Sequence, residues 1–210
     1  TSAVPVYSGL KYTSDEHDAR HLAHLLRLGL LPEAYICPKP LRAVRDLLRK
    51  RSQLVRYQTM QVLSIQNLWS RNTGGSLSSY RTKHLDDLEV AETFGADSEQ
   101  ALAIESNRSV LQSLQEQILR LEKEVYARAS LRPEYAKLLT VDGIGKILAL
   151  TIMLETGEIK RFAKVGQYAS YCRCVSSSRW SNAKKKGEGN RKNGNKYLAW
   201  AYVEAAHFGA

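Results

Sequence analysis

Two stripes of apolar residues, each repeating at heptad-like spacing, constrain this chain more than any other feature. Along the first, Val44, Leu48, Val55, Val62, Ile65 and Trp69 recur at intervals of three, four or seven, interrupted by Arg51 and Gln58. Along the second run Ile104, Leu111, Leu114, Ile118, Leu121 and Val125, with Asn107 at the remaining seam position. A stripe of this kind is one face of a helix, and water must be kept from it by another helix. Asn72 to Ser79, with two glycines and three serines, breaks the pattern between them. The expectation is either an antiparallel hairpin within the chain or a coiled coil between copies. A buried Asn107 would fix the register of either.

The rest of the 210 residues also reads as helix. Asp15 to Gly29 has acids in its first turn, a capping Ser14 or Asp15, and a glycine to close it. Asp15 and Asp18 are three apart and so share a helical face. Leu138 to Gly157 reads as helix, tight turn, helix, around Gly143, Ile144 and Gly145. That is the sequence form of a helix-hairpin-helix. Its glycines would let backbone approach a phosphate, and Lys146 would stand at the positive end of the second helix. A short helix over Phe162–Tyr171 and a last one from Tyr197 to Phe208 follow. No apolar run is long enough for a membrane span, so no membrane partner is expected. Three cysteines (Cys37, Cys172, Cys174) form no disulfide framework and point to a reducing, cytoplasmic setting. The chain does not start with Met and ends inside an apolar helical pattern, so both ends are expected to be cuts from a longer protein.

The charge is concentrated. The formal net charge is +10, and from Arg179 to Lys196 seven cations (Arg179, Lys184, Lys185, Lys186, Arg191, Lys192, Lys196) meet one acid, Glu188. Charges packed this densely cannot be buried and require water or a polyanion. A phosphate backbone fits them best, so nucleic acid is the expected partner. Four serines (Ser176, Ser177, Ser178, Ser181) adjoin the run. A serine hydroxyl held beside a phosphate is also a potential nucleophile.

Three stretches together resemble one family, that of the Piv-type DNA invertases and the related insertion-sequence transposases with a RuvC-like domain, some of them guided by a bridge RNA. Asp15-x-x-Asp18-Ala19, with Leu22-Ala23 and Leu28-Gly29, looks like the end of the RuvC-like domain. Arg45 to Arg49 with Arg51, then Leu54-Val55-Arg56, looks like the start of its coiled-coil region. Gly143-Ile144-Gly145, Phe162, Tyr168-Ala169 and Gly194 to Leu198 look like its C-terminal transposase domain. The resemblance implies a mainly α chain: a remnant of an α/β RuvC-like domain (1–37), a coiled-coil region (38–130) and a helical DNA-binding domain (131–210).

The resemblance also implies chemistry. The family holds divalent metal, here Mg²⁺, with four acids of pattern Asp-Glu-Asp-Asp; Asp15 and Asp18 match the last two, and the first two would lie upstream of residue 1. Ser181 matches the serine thought to be the nucleophile, which is usually followed by glycine; Asn182 stands there instead. The implied activity is strand cleavage and rejoining in DNA, with partners that include DNA, a guide RNA in some members, and further copies of the chain joined through the coiled coil. The fragment alone, lacking two of four acids, would be inactive. Plainer readings remain for every site. Asp15 and Asp18 suit a solvated first turn, Ser181 a loop hydroxyl, Gly143 and Gly145 a turn between packed helices, and the cationic run a solvated surface. The alternative to an enzyme is a non-catalytic nucleic-acid-binding and oligomerisation module, in which the cationic run still binds but Ser181, Asp15 and Asp18 take these plainer roles.

Overall fold

The computed structural model describes residues 15–31, 35–129, 132–176, 178–181, 184–188 and 194–209; for Arg179, Trp180, Ser181 and Lys186 it describes the backbone alone. The protein is mainly helical. In order, the elements are α1 (Asp15–Arg27), α2 (Lys39–Thr73), α3 (Ser79–Lys83), α4 (Asp87–Phe94), α5 (Glu99–Ala129), α6 (Pro133–Leu138), α7 (Lys146–Thr156), a 3₁₀ turn (Ile159–Arg161), α8 (Val165–Tyr171), β1 (Ser178–Ser181), β2 (Lys184–Glu188) and α9 (Lys196–Gly209). They sort into two compact units. One holds the described residues before Lys39 together with Glu158–Tyr202, and the other holds Lys39–Gly157 and the chain from Val203 onward. α6 and α7 lie with the long helices in the larger unit.

In the larger unit the two stripes cover each other within the chain. Val44, Leu48, Val62, Ile65 and Trp69 of α2 are buried, as are Ile104, Leu111, Ile118 and Val125 of α5. Ser64 meets Asn107 and Arg51 meets Glu122, so the helices run antiparallel. The seam is therefore a hairpin. Asn107 donates from Nδ2 to Ser64 Oγ at 3.2 Å, a polar pair that matches only in one register. Arg51, which interrupts the apolar pattern, reaches Glu122 at 2.8 Å with both side chains about one-fifth exposed.

That polar crossing separates two cores. Trp69, Leu77, Leu85, Val90 and Ile104 gather at one end of the hairpin, where α3 and α4 fold over it. Ser78 and Asp86 cap those short helices by accepting from the amides of Arg81 and Glu89. At the other end Leu48, Val125, Tyr135, Leu150 and Leu154 pack together. Helix α7 is buried on every side from Leu148 to Thr156. Its Glu155, 2% exposed, takes a bidentate bond from Arg49 of α2 at 2.6 and 2.7 Å. A buried carboxylate without such a partner would be far less stable. Among the described residues no helix is long and apolar enough to cross a membrane.

In the smaller unit α1 ends as read from the sequence. Gly29 sits at φ +67° and the Leu30 amide returns to the Leu25 carbonyl at 3.0 Å. Where the plainer reading makes Ser181 a loop residue, the backbone forms a β-ribbon: β1 and β2 pair antiparallel.

Because the seams close inside one chain, unfolding should be independent of protein concentration. Ile65→Ala should cost about 2–5 kcal/mol at its fully buried site. Thermal melts across a hundredfold range of concentration check both. A midpoint that climbs with concentration would mean that the stripes join copies.

Candidate nucleic-acid interface and nucleophile

The cationic segment is mounted by a clamp at its two ends. After α8 the chain turns through Arg173, whose φ of 61° is left-handed. It returns at Gly194, also left-handed at φ +79°. A Cβ at Gly194 would stand 2.6 Å from the Tyr171 carbonyl oxygen and 3.2 Å from Arg173 Cγ, so only glycine lets the strands of chain approach this closely. Asn195 then donates its amide to Tyr171 O at 2.7 Å. Its side-chain oxygen accepts from the amides of Tyr197 and Leu198, which makes it the cap of α9. Arg173 closes the clamp by donating to Gly194 O at 3.2 Å. The motif Gly194 to Leu198 thus has a local reason: it anchors the ribbon and starts α9 in one step.

Aromatic packing stiffens the base of this mount. Tyr168 and Tyr202 share a hydroxyl–hydroxyl bond of 2.8 Å. Phe162 lies edge-on to Tyr168 with ring centroids 5.1 Å apart. The Arg161 guanidinium stacks over Tyr35, Phe162 and Tyr171 at 4.1–4.5 Å. Burial raises the Tyr202 hydroxyl, and it pushes the neighbouring Cys172 thiol up to about 11. Neither is a nucleophile near neutral pH.

Of the residues singled out in the sequence, Arg179, Ser181, Lys184, Lys185 and Lys186 come together on the ribbon. Ser181 is the last residue of β1 and pairs with Lys184, the first of β2. Lys184 and Lys185 are exposed. Lys196 follows in the first turn of α9, with its ammonium 5.2 Å from the Tyr197 ring. Arg191, Lys192 and Asn182 lie outside the described residues.

Gly143, Gly145 and Lys146 belong to the larger unit. Gly143 is left-handed at φ +81°, and a Cβ there would lie 2.2 Å from the Ala205 carbonyl oxygen. The close backbone approach it permits is therefore to α9 of its own unit. Gly145 is the N-cap of α7, offers no side-chain cap, and is open on its Cβ side. Lys146 beside it is exposed, so this helix end presents amides and a cation to solvent.

Asp15 and Asp18 sit together in the first turn of α1, with Glu16 between them paired to Arg20 at 2.6 Å. Hard carboxylate oxygens are the donors Mg²⁺ prefers, but that ion needs more than two ligands. Among the described residues no three His, Cys, Asp or Glu side chains converge on one point. The described residues therefore do not complete a metal site.

The comparisons with known proteins bear on this same region. Residues 135–209, from α6 through the ribbon to the end of α9, match the domain model of the Transposase IS116/IS110/IS902 family. A protein of Pseudomonas aeruginosa named as a family 20 transposase is 24% identical over 201 residues, 91% of this chain and 59% of its own length. A protein of Sinorhizobium fredii named as a transposase is 27% identical over 208 residues, 98% of this chain and 50% of its own length. The chain thus spans about half to three-fifths of the relatives it matches.

The two left-handed glycines should be intolerant and the N-cap glycine tolerant. Gly143→Ala and Gly194→Ala should each lose about 2 kcal/mol or more, whereas Gly145→Ala should stay within about 0.5 kcal/mol. Chemical denaturation of the three variants decides; equal losses would contradict this geometry.

Proposed function

We propose that the chain is part of a DNA transposase that cuts and rejoins strands through a serine. The observation that carries this reading is the anchored ribbon, which sets Ser181 opposite Lys184 inside the stretch that matches the transposase domain. The names of the two relatives point the same way.

In the proposed reaction, Ser181 Oγ forms a bond to phosphorus of the DNA backbone. The bond from phosphorus to the leaving deoxyribose oxygen breaks, the serine gives up its proton, and the leaving oxygen gains one. Rejoining runs the same exchange in reverse with an incoming strand hydroxyl. Lys184, Lys186 and Arg179 orient the phosphate and offset the charge that grows on its oxygens. Gly145 and Lys146 at the start of α7 would hold a second phosphate through backbone amides. Lys196 and, in sequence, Arg191 and Lys192 extend the cationic surface.

Asp15 and Asp18 would supply two oxygen ligands to Mg²⁺, whose charge, when bound, helps neutralise the reacting phosphate. The other ligands would come from outside the described residues, as in the RuvC-like arrangement that the sequence resembles. No histidine stands in the sequence between His84 and His207, so the proton acceptor for Ser181 would also come from elsewhere. A second copy of the chain would dock through a surface other than the heptad seams, which are already closed in the hairpin. The exposed Lys184 and Lys185 also suit a second reading, in which this chain binds DNA without cutting it.

The covalent intermediate separates the two. In the longer protein with Mg²⁺, a nicked suicide duplex should trap a protein–DNA ester that peptide mapping places on Ser181. Ser181→Ala should abolish it and leave DNA affinity within about twofold, because one hydroxyl contributes little beside several charge-assisted contacts. An ester on another residue, or none under any condition, would remove the serine mechanism.

A further inference from the structure

The cations of the ribbon are not equivalent, because the ladder sorts them onto two faces. In an antiparallel pair, residues directly opposite share a face and successive residues alternate. Ser181 is opposite Lys184, and Arg179 is opposite Gly187. Trp180 is opposite Lys185, and Ser178 is opposite Glu188. The register shifts between Arg179 and Trp180, so β2 carries one extra residue there, Lys186.

That bulge decides where each lysine goes. Without it, Lys185 and Glu188, three apart in an extended strand, would occupy opposite faces. With it they share one, and the Lys185 ammonium does form an ion pair with the Glu188 carboxylate. The ion pair is thus an independent sign of the sorting that the backbone register implies. Lys186, the extra residue, has no partner across the ladder and is assigned to neither face. One face of the ribbon then holds the positions of Arg179, Ser181 and Lys184, none of them acidic. The other holds those of Ser178, Trp180, Lys185 and Glu188, where the lysine is already matched by a carboxylate.

We propose that the ribbon engages a nucleic-acid backbone with one face only: Lys184 contacts phosphate on the face that carries the positions of Arg179 and Ser181, while Lys185 serves Glu188 and contacts none. The inference rests on the reading of this segment as the DNA-binding element. It adds the specificity that a plain run of lysines would lack. A bulge is a common means of re-aiming a strand beside an active site. Here it sets the position of Glu188 on the face opposite to that of the Ser181–Lys184 pair.

Salt-titrated binding of the whole chain to a short random-sequence duplex tests it. Each phosphate contact contributes about 0.9 to the slope of log affinity against log salt. Lys184→Gln should lower the slope by about 0.9, and Lys184→Arg should restore it. Lys185→Gln should leave the slope unchanged. Equal losses for the two lysines, or a loss confined to Lys185, would overturn the face assignment while leaving the ribbon as the DNA-binding element. Two unchanged slopes would overturn both. Circular dichroism of each variant confirms the fold, which exposed Lys→Gln changes should not disturb.

Discussion

A long amphipathic helix cannot stand alone in water, and the mutual cover of α2 and α5 is the condition on which the larger unit depends. Apolar burial supplies most of the stabilisation. It does not by itself choose a register, because a heptad stripe can slide by a repeat. Asn107 with Ser64 and Arg51 with Glu122 make that choice, since a slipped hairpin would leave both polar pairs unmatched. The same crossing divides the apolar contacts into two cores. One is closed by α3 and α4, and the other by α6 and α7. The Arg49–Glu155 pair then fixes the apolar α7, which has no amphipathic pattern of its own, at one position along α2.

The smaller unit is built on a different principle. Its ribbon is too short and too charged to fold as an isolated hairpin, and two-stranded ribbons are marginal even when apolar. It is held at its base, where Gly194 lets Asn195 reach Tyr171 and where rings stack around Arg161. An anchored base with an exposed cationic end suits the binding of a polyanion, because chain ordered on folding need not be ordered again on binding. The same end carries the serine proposed to react.

The sequence showed the long helices because their apolar period is regular, and it showed Gly29 and Asn107 because those residues have few other uses. The ribbon was not legible. Arg179, Trp180 and Ser181 facing three lysines lack the apolar–polar alternation that marks a strand, and the segment reads as loop. The two-residue gap between Ser181 and Lys184, headed by an asparagine, is the one hint of a hairpin. Glu155 was missed for a related reason. A helix buried all round gives no periodic signal, and its partner Arg49 is 106 residues away in sequence. Gly143 carries a constraint that its neighbours in sequence do not announce, the close approach of the α9 backbone. α3 and α4 were too short to show an apolar period, although Ser78 and Asp86 stood at their N-caps.

The central claim is that the ribbon, and not the first half of α2, is where nucleic acid binds. That half of α2 carries Arg42, Arg45, Arg49, Lys50, Arg51 and Arg56 against the one acid Asp46, so composition cannot separate the two. Hydrogen–deuterium exchange of the whole chain with and without a DNA duplex can, because it reads each backbone segment by itself. The account predicts slower exchange over 178–188 on adding DNA, with Arg42 to Arg56 unchanged. Protection along Arg42 to Arg56 with the ribbon unaffected would contradict it and place the interface on the helical hairpin.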